Sequence, residues 1–418
     1  MSQTESKEER LVKGYRGSAV IACLSFAIGF FVAYEWFHFN ARETISESIP
    51  SRIVDKPIRE AIKVSEEDIG QISVMDYGAV GDNVTDDTKA IQKALNDLAN
   101  EGMAVLYFPP STYKITSPLI IPYMQGKEIR GATSLQSTVK QYTDNTPVFQ
   151  FAHPDTHTIY MHDIGISYAN QQFPEDVDSY GIGFHSAESN ANGFYHLNFE
   201  RLSIRGAAVG IGINQEVGTQ TVWNIKVADS SFYSISKHIV YFNPPTPIGM
   251  PMHVYQNLRV INTGDEGIAS QGEAFVFAAV EAEIEHLDIE GWHDTIFYGI
   301  GGPKYVVKHV HAEHHVFDEG GTANLFYIAN GSLSVDNLSF QGSSDNAAKL
   351  QLFHSDGPEA NLYLQRIQVG LTDNGGEAVV VASRQSDAFI RDISANIPIT
   401  YSRTEYEARI RNMYAYPE

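Results

Sequence analysis

The chain has 418 residues, 43% of them apolar, which is enough for a sizeable core. Its 29 Lys and Arg against 51 Asp and Glu give a formal charge of -22, with no basic cluster beyond the first sixteen residues; this excludes a nucleic-acid binder and opposes a polyanionic substrate at long range. The single cysteine, Cys23, excludes an intrachain disulfide framework and a thiolate metal site.

The run "GSAVIACLSFAIGFFVAY" from Gly17 to Tyr34 carries no charge and is long enough for a membrane-spanning helix. Lys7, Arg10, Lys13 and Arg16 precede it, and only Arg42 follows closely. The positive-inside bias therefore predicts a cytoplasmic tail over 1–16, an anchor over 17–37 and the remainder across the membrane, on the periplasmic or extracellular side. Trp36 and Phe37 suit the interfacial belt. A cleaved signal peptide is the rival, but no small-x-small site closes the run, and in the lipoprotein-like "VIAC" most of the apolar stretch follows the cysteine. Residues 38–71, polar and interrupted by Pro50 and Pro57, read as a linker.

The folded part begins near Ile72. "ISVMDYGAV" predicts a strand and "TDDTKAIQKALNDLANEG" an amphipathic helix, with Thr85 or Asp86 as N-cap, Asp86 and Asp87 complementing the dipole and Gly102 ending it. Ala90, Ile91, Ala94, Leu95 and Leu98 fall on one face. Next, "AVLYFPPSTYKITSPLII" reads as strand, Pro-Pro turn and strand.

Beyond residue 155 the helical period gives way to short alternating apolar segments, each followed by Gly, Asn, Asp or Ser. Their first apolar residues fall at 164, 202, 227, 258, 287, 310, 338, 367 and 393, at intervals of 38, 25, 31, 29, 23, 28, 29 and 26. Spacing of this kind, without room for crossover helices, predicts the coils of an all-β parallel β-helix over 72–400, with a tail over 401–418. A propeller would need longer blades and its own repeat marks; an irregular β-sandwich is the bland alternative.

With these coils behind it, "DYGAVGDNVTDDTKAIQKAL" resembles the "FGA-GDG-TDDT-AIQ-A" signature that opens the pectate lyase-like domain of rhamnogalacturonase- and epimerase-like proteins, polygalacturonase relatives and many phage tailspikes. Asp76, Gly78, Ala79, Gly81, Asp82, Thr85, Asp86, Asp87, Thr88, Ala90, Ile91, Gln92 and Ala94 match; Tyr77 replaces the usual Phe and Asn83 the usual Gly. The resemblance implies a right-handed β-helix whose N-terminal end is covered by this strand, turn and helix. Asp82, Asp86 and Asp87 are then turn and cap residues rather than catalysts, the helix covering an otherwise unpaired sheet edge. "SRIVDKPIREAI" looks like a tailspike linker, and resembling tailspikes are commonly homotrimers, although a membrane anchor is atypical of them.

The resemblance hands over no catalytic residue, and a "DPHE"-type epimerase motif is absent. Seven residues after the first apolar residue of a coil stand Asp265, Asp294, Asp345 and Asn374, with Asp318 at eight, a candidate carboxylate ladder. Adjacent coils lie about 4.8 Å apart, so Asp265 with Asp294 suits the spacing of a retaining glycosidase and Asp265 with Asp318 the wider inverting spacing. Asp265, Asp294 and Asp318 are the candidate catalytic residues, against the reading that they are ordinary turn aspartates.

On the same coils, His286, His293, His309, His311, His314 and His315 cluster, "HVHAEHHVFDEGG" being the densest piece. His309 and His311 share a strand face, and His286 and His309 hold the same coil position, which predicts an imidazole stack. The spacing matches no familiar zinc signature, so no metal ligand is assigned. Trp292, His293, His311 and Tyr298 are the candidate substrate-binding residues, the aromatic rings serving either sugar faces or the core. Three functions follow: an enzyme cutting a polysaccharide by hydrolysis or β-elimination, a non-catalytic sugar-binding or adhesive module, and a structural spacer. Elimination would draw in Ca²⁺, as in the lyases the chain resembles; hydrolysis needs the carboxylate pair.

Overall fold

The computed structural model describes residues 70–100, 102–185, 193–213, 221–244, 249–262, 272–293, 295–315, 322–342, 349–355, 360–371, 377–381, 388–395, 399–402 and 409–415. Its strands pair in parallel, each with the strand one coil further along the chain, which is how short alternating segments without hairpin turns satisfy their backbone groups. One sheet has eleven strands in unbroken succession from Leu119–Ile121 to Ile399–Ser402, and the other has nineteen. The result is an all-β parallel β-solenoid, as the repeat spacing predicts. Strands Ile399–Ser402 and Arg409–Ala415 extend both sheets, so the coils run past the boundary expected at residue 400.

The nineteen-stranded sheet is folded along a corner. Asp163, Arg201, Asp229, Asn257, His286, His309, Asn337, Arg366 and Asp392 occupy it, all at φ between 50° and 62°. Left-handed backbone is tolerated best by Gly, Asn, Asp and His, and single residues in it turn a strand without ending it. Before residue 250 the two faces are separate short strands; from Met250–Ile261 onward each coil crosses the corner as one long strand. Just beyond the corner, Leu258, Leu287, Val310, Leu338, Ile367 and Ile393 stack in register and point into the core. Val227 is the exception to the predicted alignment. The pairing places Ser230 between Leu202 and Leu258, buried, its hydroxyl accepting from the Leu202 amide at 3.0 Å and donating to the Ala228 carbonyl at 2.7 Å. A polar residue at an apolar position displaced the sequence alignment by three residues.

The opening motif is structural. The helix α1 (Thr88–Leu98) starts later than the cap pattern predicts, because residues 82–86 form a strand, and Asp87 sits at the N-cap without a side-chain capping bond. Its carboxylate instead accepts the Val80 and Gly81 amides at 2.7 and 3.0 Å. Asp82 closes a turn on the Val84 and Thr85 amides, and Asp86 binds Thr88 and Thr116. Ile91, Ala94, Leu95 and Leu98 are fully buried against the first coil. Gln92 both donates to the Ile120 carbonyl and accepts from the Ile120 amide, each at 2.8 Å, so one side chain occupies the free edge of the first strand of the eleven-stranded sheet.

The predicted anchor over 17–37, the tail before it and the linker up to residue 69 lie outside the described residues; Gln71, the last residue of the expected linker, already opens the first strand, Gln71–Ser73. Among the described residues no helix is long and apolar enough to cross a membrane.

Candidate functional site

Four successive coils bring one polar network onto the outer face beside the corner, the first of them through Glu128 on strand Gln125–Gly131. Strands His157–His162, Phe194–Glu200 and Val222–Ala228 pair so that His162 lies beside Glu200, while Tyr160, Asn198 and Lys226 form the row two residues earlier. The His162 ring lies between carboxylates, Nδ1 at 2.6 Å from Asp163 Oδ2 and Nε2 at 3.1 Å from Glu128 Oε1, so either neutral tautomer finds an acceptor. Arg201 donates from Nε to Asp163 Oδ1 at 2.8 Å and from Nη2 to Oδ2 at 2.9 Å, a bidentate pair. The Tyr160 hydroxyl donates to Glu200 Oε2 at 2.9 Å and its ring stacks on His162 at 4.1 Å. Lys226 Nζ donates to Glu200 Oε1 at 2.9 Å.

The electrostatics follow from these contacts. Burial opposes ionisation of Asp163, yet hydrogen bonds from Arg201 and His162 outweigh it and hold the carboxyl below its usual range. Burial likewise opposes ionisation of Glu200, and Lys226 and Tyr160 outweigh it. Arg201 and Lys226 are raised, each chiefly by hydrogen bonding to its carboxylate, and burial raises Tyr160. At neutral pH the network therefore presents the carboxylates of Asp163 and Glu200, two fixed cations and a protonated phenol around the His162 ring, with Glu128 against its Nε2.

The same three strands carry a ring stack on their outer face. His157 and Tyr195 stack at 4.5 Å and 9°, Tyr195 and Trp223 at 4.8 Å and 12°, and all three are half-buried. Left-handed residues Thr158, His196 and Asn224 bend the strands between the stack and the network. In the row of Lys226, the next coils place Val254, Glu283 and Val306. These line a shallow cavity of about 230 Å³ together with Met252, Glu281 and Lys304. From Tyr160 to Val306 the row climbs five coil steps, about 24 Å at the strand spacing.

Of the residues singled out in the sequence, Asp265, Asp294 and Asp318 lie outside the described residues, as do Asp345 and Asn374. Trp292 is fully buried, its indole N–H on the Gly272 carbonyl at 3.1 Å, so its ring is part of the core and not of a groove. His293 is half-buried. His311 is exposed on the nineteen-stranded sheet, its Nε2 2.7 Å from Glu313 Oε1, whereas Tyr298 belongs to the eleven-stranded sheet and stacks on Tyr327 at 4.7 Å. Trp292, His311 and Tyr298 thus do not converge on one face. The predicted stack of His286 on His309 is present, with centroids 4.7 Å apart and planes at 9°. The network around His162 escaped because repeats are aligned on apolar residues. Five of its members, His162, Asp163, Glu200, Arg201 and Lys226, stand at the corner or within a few residues before it, and titratable pairs there are the signal that finds them.

Comparison with known proteins places this architecture. The family model described as rhamnogalacturonase A/epimerase, pectate lyase-like matches residues 71–281, just over half of the chain. The chain belongs to this family. Among curated proteins, this pectate lyase-like chain is 25% identical over 309 residues to a "Probable glucan endo-1,3-beta-glucosidase" of Arthroderma benhamiae, covering 67% of the chain and 32% of that protein. It is also 34% identical over 86 residues to a "Glucan 1,3-beta-glucosidase" of Cochliobolus carbonum, covering 20% of the chain and 11% of that protein. The chain thus spans less than a third of the length of either relative. Among solved structures, the A-module of the mannuronan C-5 epimerase AlgE4 of Azotobacter vinelandii superposes with a TM-score of 0.51 at 14% identity. That match covers 81% of this chain and all of the module, a likeness of fold.

Proposed function

We propose that this pectate lyase-like solenoid acts on a polysaccharide laid along the outer row from Tyr160 to Val306. The observation that carries the reading is that the His162 network, with the ring stack beside it on the same coils, is followed along the row on the next three coils by the cavity beside Lys304. A polymer needs such a linear array, and a small metabolite does not. Hydrolysis of a neutral glucan is favoured over elimination on a polyuronate. The two curated relatives are named as glucan 1,3-beta-glucosidases, and the charge of -22 opposes a polyanion. In this reading Glu200 and Asp163 are ionised acceptors for substrate or water, Tyr160 and His162 are the proton carriers, and Asp265, Asp294 and Asp318 are the further carboxylates available for an acid and base pair. Anchoring through residues 17–37 would hold the solenoid outside the cytoplasm.

The test is a depolymerisation assay of the full chain against β-glucans, pectic polymers and alginate, reading new reducing ends and the ultraviolet absorbance of unsaturated products together. Reducing ends without absorbance, lost in Tyr160→Phe and Glu200→Gln, support hydrolysis at this site; both signals together indicate elimination. A second reading, sugar binding without cleavage, is favoured by the closure of the network, since Arg201 and Lys226 already hold carboxylates. Retention on a β-glucan column with neither signal would select it and overturn the enzymatic reading.

A further inference from the structure

We propose that Glu285, His286 and His309 form a binding site for one divalent transition-metal ion, Zn²⁺ in the first instance, that clips two successive coils together at the corner. Each of the three residues offers one ligand atom, and these atoms lie within 4.8 Å of one another. Two imidazoles and a carboxylate are a donor set that suits Zn²⁺, Ni²⁺ or Cu²⁺ rather than Ca²⁺ or Mg²⁺. His286 and His309 are 23 positions apart in sequence, and the coil register superposes them: Glu285 pairs with Lys308 and Leu287 with Val310. No local sequence signature marks the site for that reason.

The geometry leaves room for closure. Tetrahedral coordination with bonds of about 2.0–2.2 Å brings donors to roughly 3.4 Å of one another, so the donors close by at most about 1.4 Å. Both rings are exposed at left-handed corner residues, φ 58° and 54°, and are free to turn from the parallel stack toward a common point. An outer shell already stands in place. Asn337 lies with Nδ2 at 2.8 Å from His309 Nδ1, and turning that amide over offers its oxygen to an Nδ1–H, which frees Nε2 for the metal. Gln256 Nε2 approaches Glu285 Oε2 at 3.3 Å. The neighbouring cation Lys308 is held by Glu283. Four coil steps, about 19 Å, separate Glu285 from the His162 network, while Glu283, two residues before Glu285, belongs to the proposed substrate row; the test therefore reads metal binding and melting rather than polysaccharide turnover.

The experiment is calorimetric titration of the untagged, chelator-treated full chain with ZnCl₂, with Co²⁺ absorbance reporting the coordination geometry. The variants are His286→Asn and His309→Asn, because asparagine already occupies the equivalent corners at 257 and 337 and keeps the left-handed backbone. One saturable equivalent is expected, weakened at least tenfold by either Asn variant and by Glu285→Gln. A metal-dependent rise in melting temperature should vanish in the same variants while their metal-free melting stays at the wild-type value. His311→Ala with His314→Ala should leave binding unchanged. No saturable equivalent, wild-type affinity in His286→Asn, or loss only in the His311 and His314 variant would each overturn the proposal.

Discussion

Lowering the pH from 7.5 to 4.5 should destabilise the solenoid through two buried histidines. His253 is 1% exposed and wired as a neutral ring: Nε2 donates to the Val222 carbonyl at 2.7 Å, and Nδ1 accepts from the buried Tyr255 hydroxyl at 3.1 Å. His238, 5% exposed, donates from Nδ1 to the Glu273 carbonyl at 2.6 Å and stacks on Tyr241. Burial pushes each imidazole down to about 4 from an ordinary 6.5. A folded-state value below the unfolded one means that the unfolded chain binds the extra proton. The stabilisation is therefore complete above pH 6.5 and is lost as pH falls toward 4. At pH 4.5 the loss is about 2–3 kcal/mol for each histidine, a large share of the roughly 5–15 kcal/mol typical of a domain. Asp82, Asp86, Asp163 and Glu200, which are held below their ordinary values, lose their contributions only at lower pH, so the windows separate. Urea unfolding followed by far-ultraviolet circular dichroism at half-unit pH steps measures the slope. His253→Gln, which removes one titration, should halve the loss between pH 6.5 and 4.5. A flat profile over that window, or an identical slope in the variant, would refute the reasoning.

Four further outcomes are expected. Gln92→Ala strands the Ile120 amide and carbonyl at the sheet edge and should cost about 1–3 kcal/mol in chemical unfolding. Trp292→Ala opens a core cavity and should cost about 3–5 kcal/mol while leaving polysaccharide affinity intact, whereas a groove residue would give the opposite pair of results. Gly81→Ala meets both a φ of +72° and a contact of 2.6 Å to the Ser111 Cβ, so its melting temperature should drop by several degrees in a thermal scan. Arg201→Met should lower polysaccharide turnover at least tenfold with little change in melting temperature, because its side chain is 42% exposed and its ion pairs are solvent-screened.

The repeat architecture was legible because a parallel solenoid writes its register into the sequence: Leu258, Leu287, Val310, Leu338, Ile367 and Ile393 are the same position six times. The predicted structural role of Asp82, Asp86 and Asp87 holds for the same reason, since turn chemistry is local. The site was less legible. Glu128, His162, Asp163 and Arg201 meet only through coil stacking across 73 positions, and nothing local distinguishes a titratable residue beside a corner from one on an idle surface. Trp292 misled because an indole flanked by His293 reads equally as groove or core until the path of the coil is known.

The backbone hydrogen bonds of the solenoid run along its axis, from coil to coil, so tension applied between its two ends acts on them in series. A globular fold shears many bonds at once and yields in one abrupt event. Here the chain should instead peel one coil at a time, a coil of 29 residues such as Leu258 to Leu287 releasing roughly 100 Å of slack. Because Gln92 and α1 close the first strand of the eleven-stranded sheet, the N-terminal coil is the poorest place for such a tear to begin. Held in an optical trap, the molecule would lengthen in successive steps, each set by the length of one coil, under a nearly constant load, the response of a shock absorber.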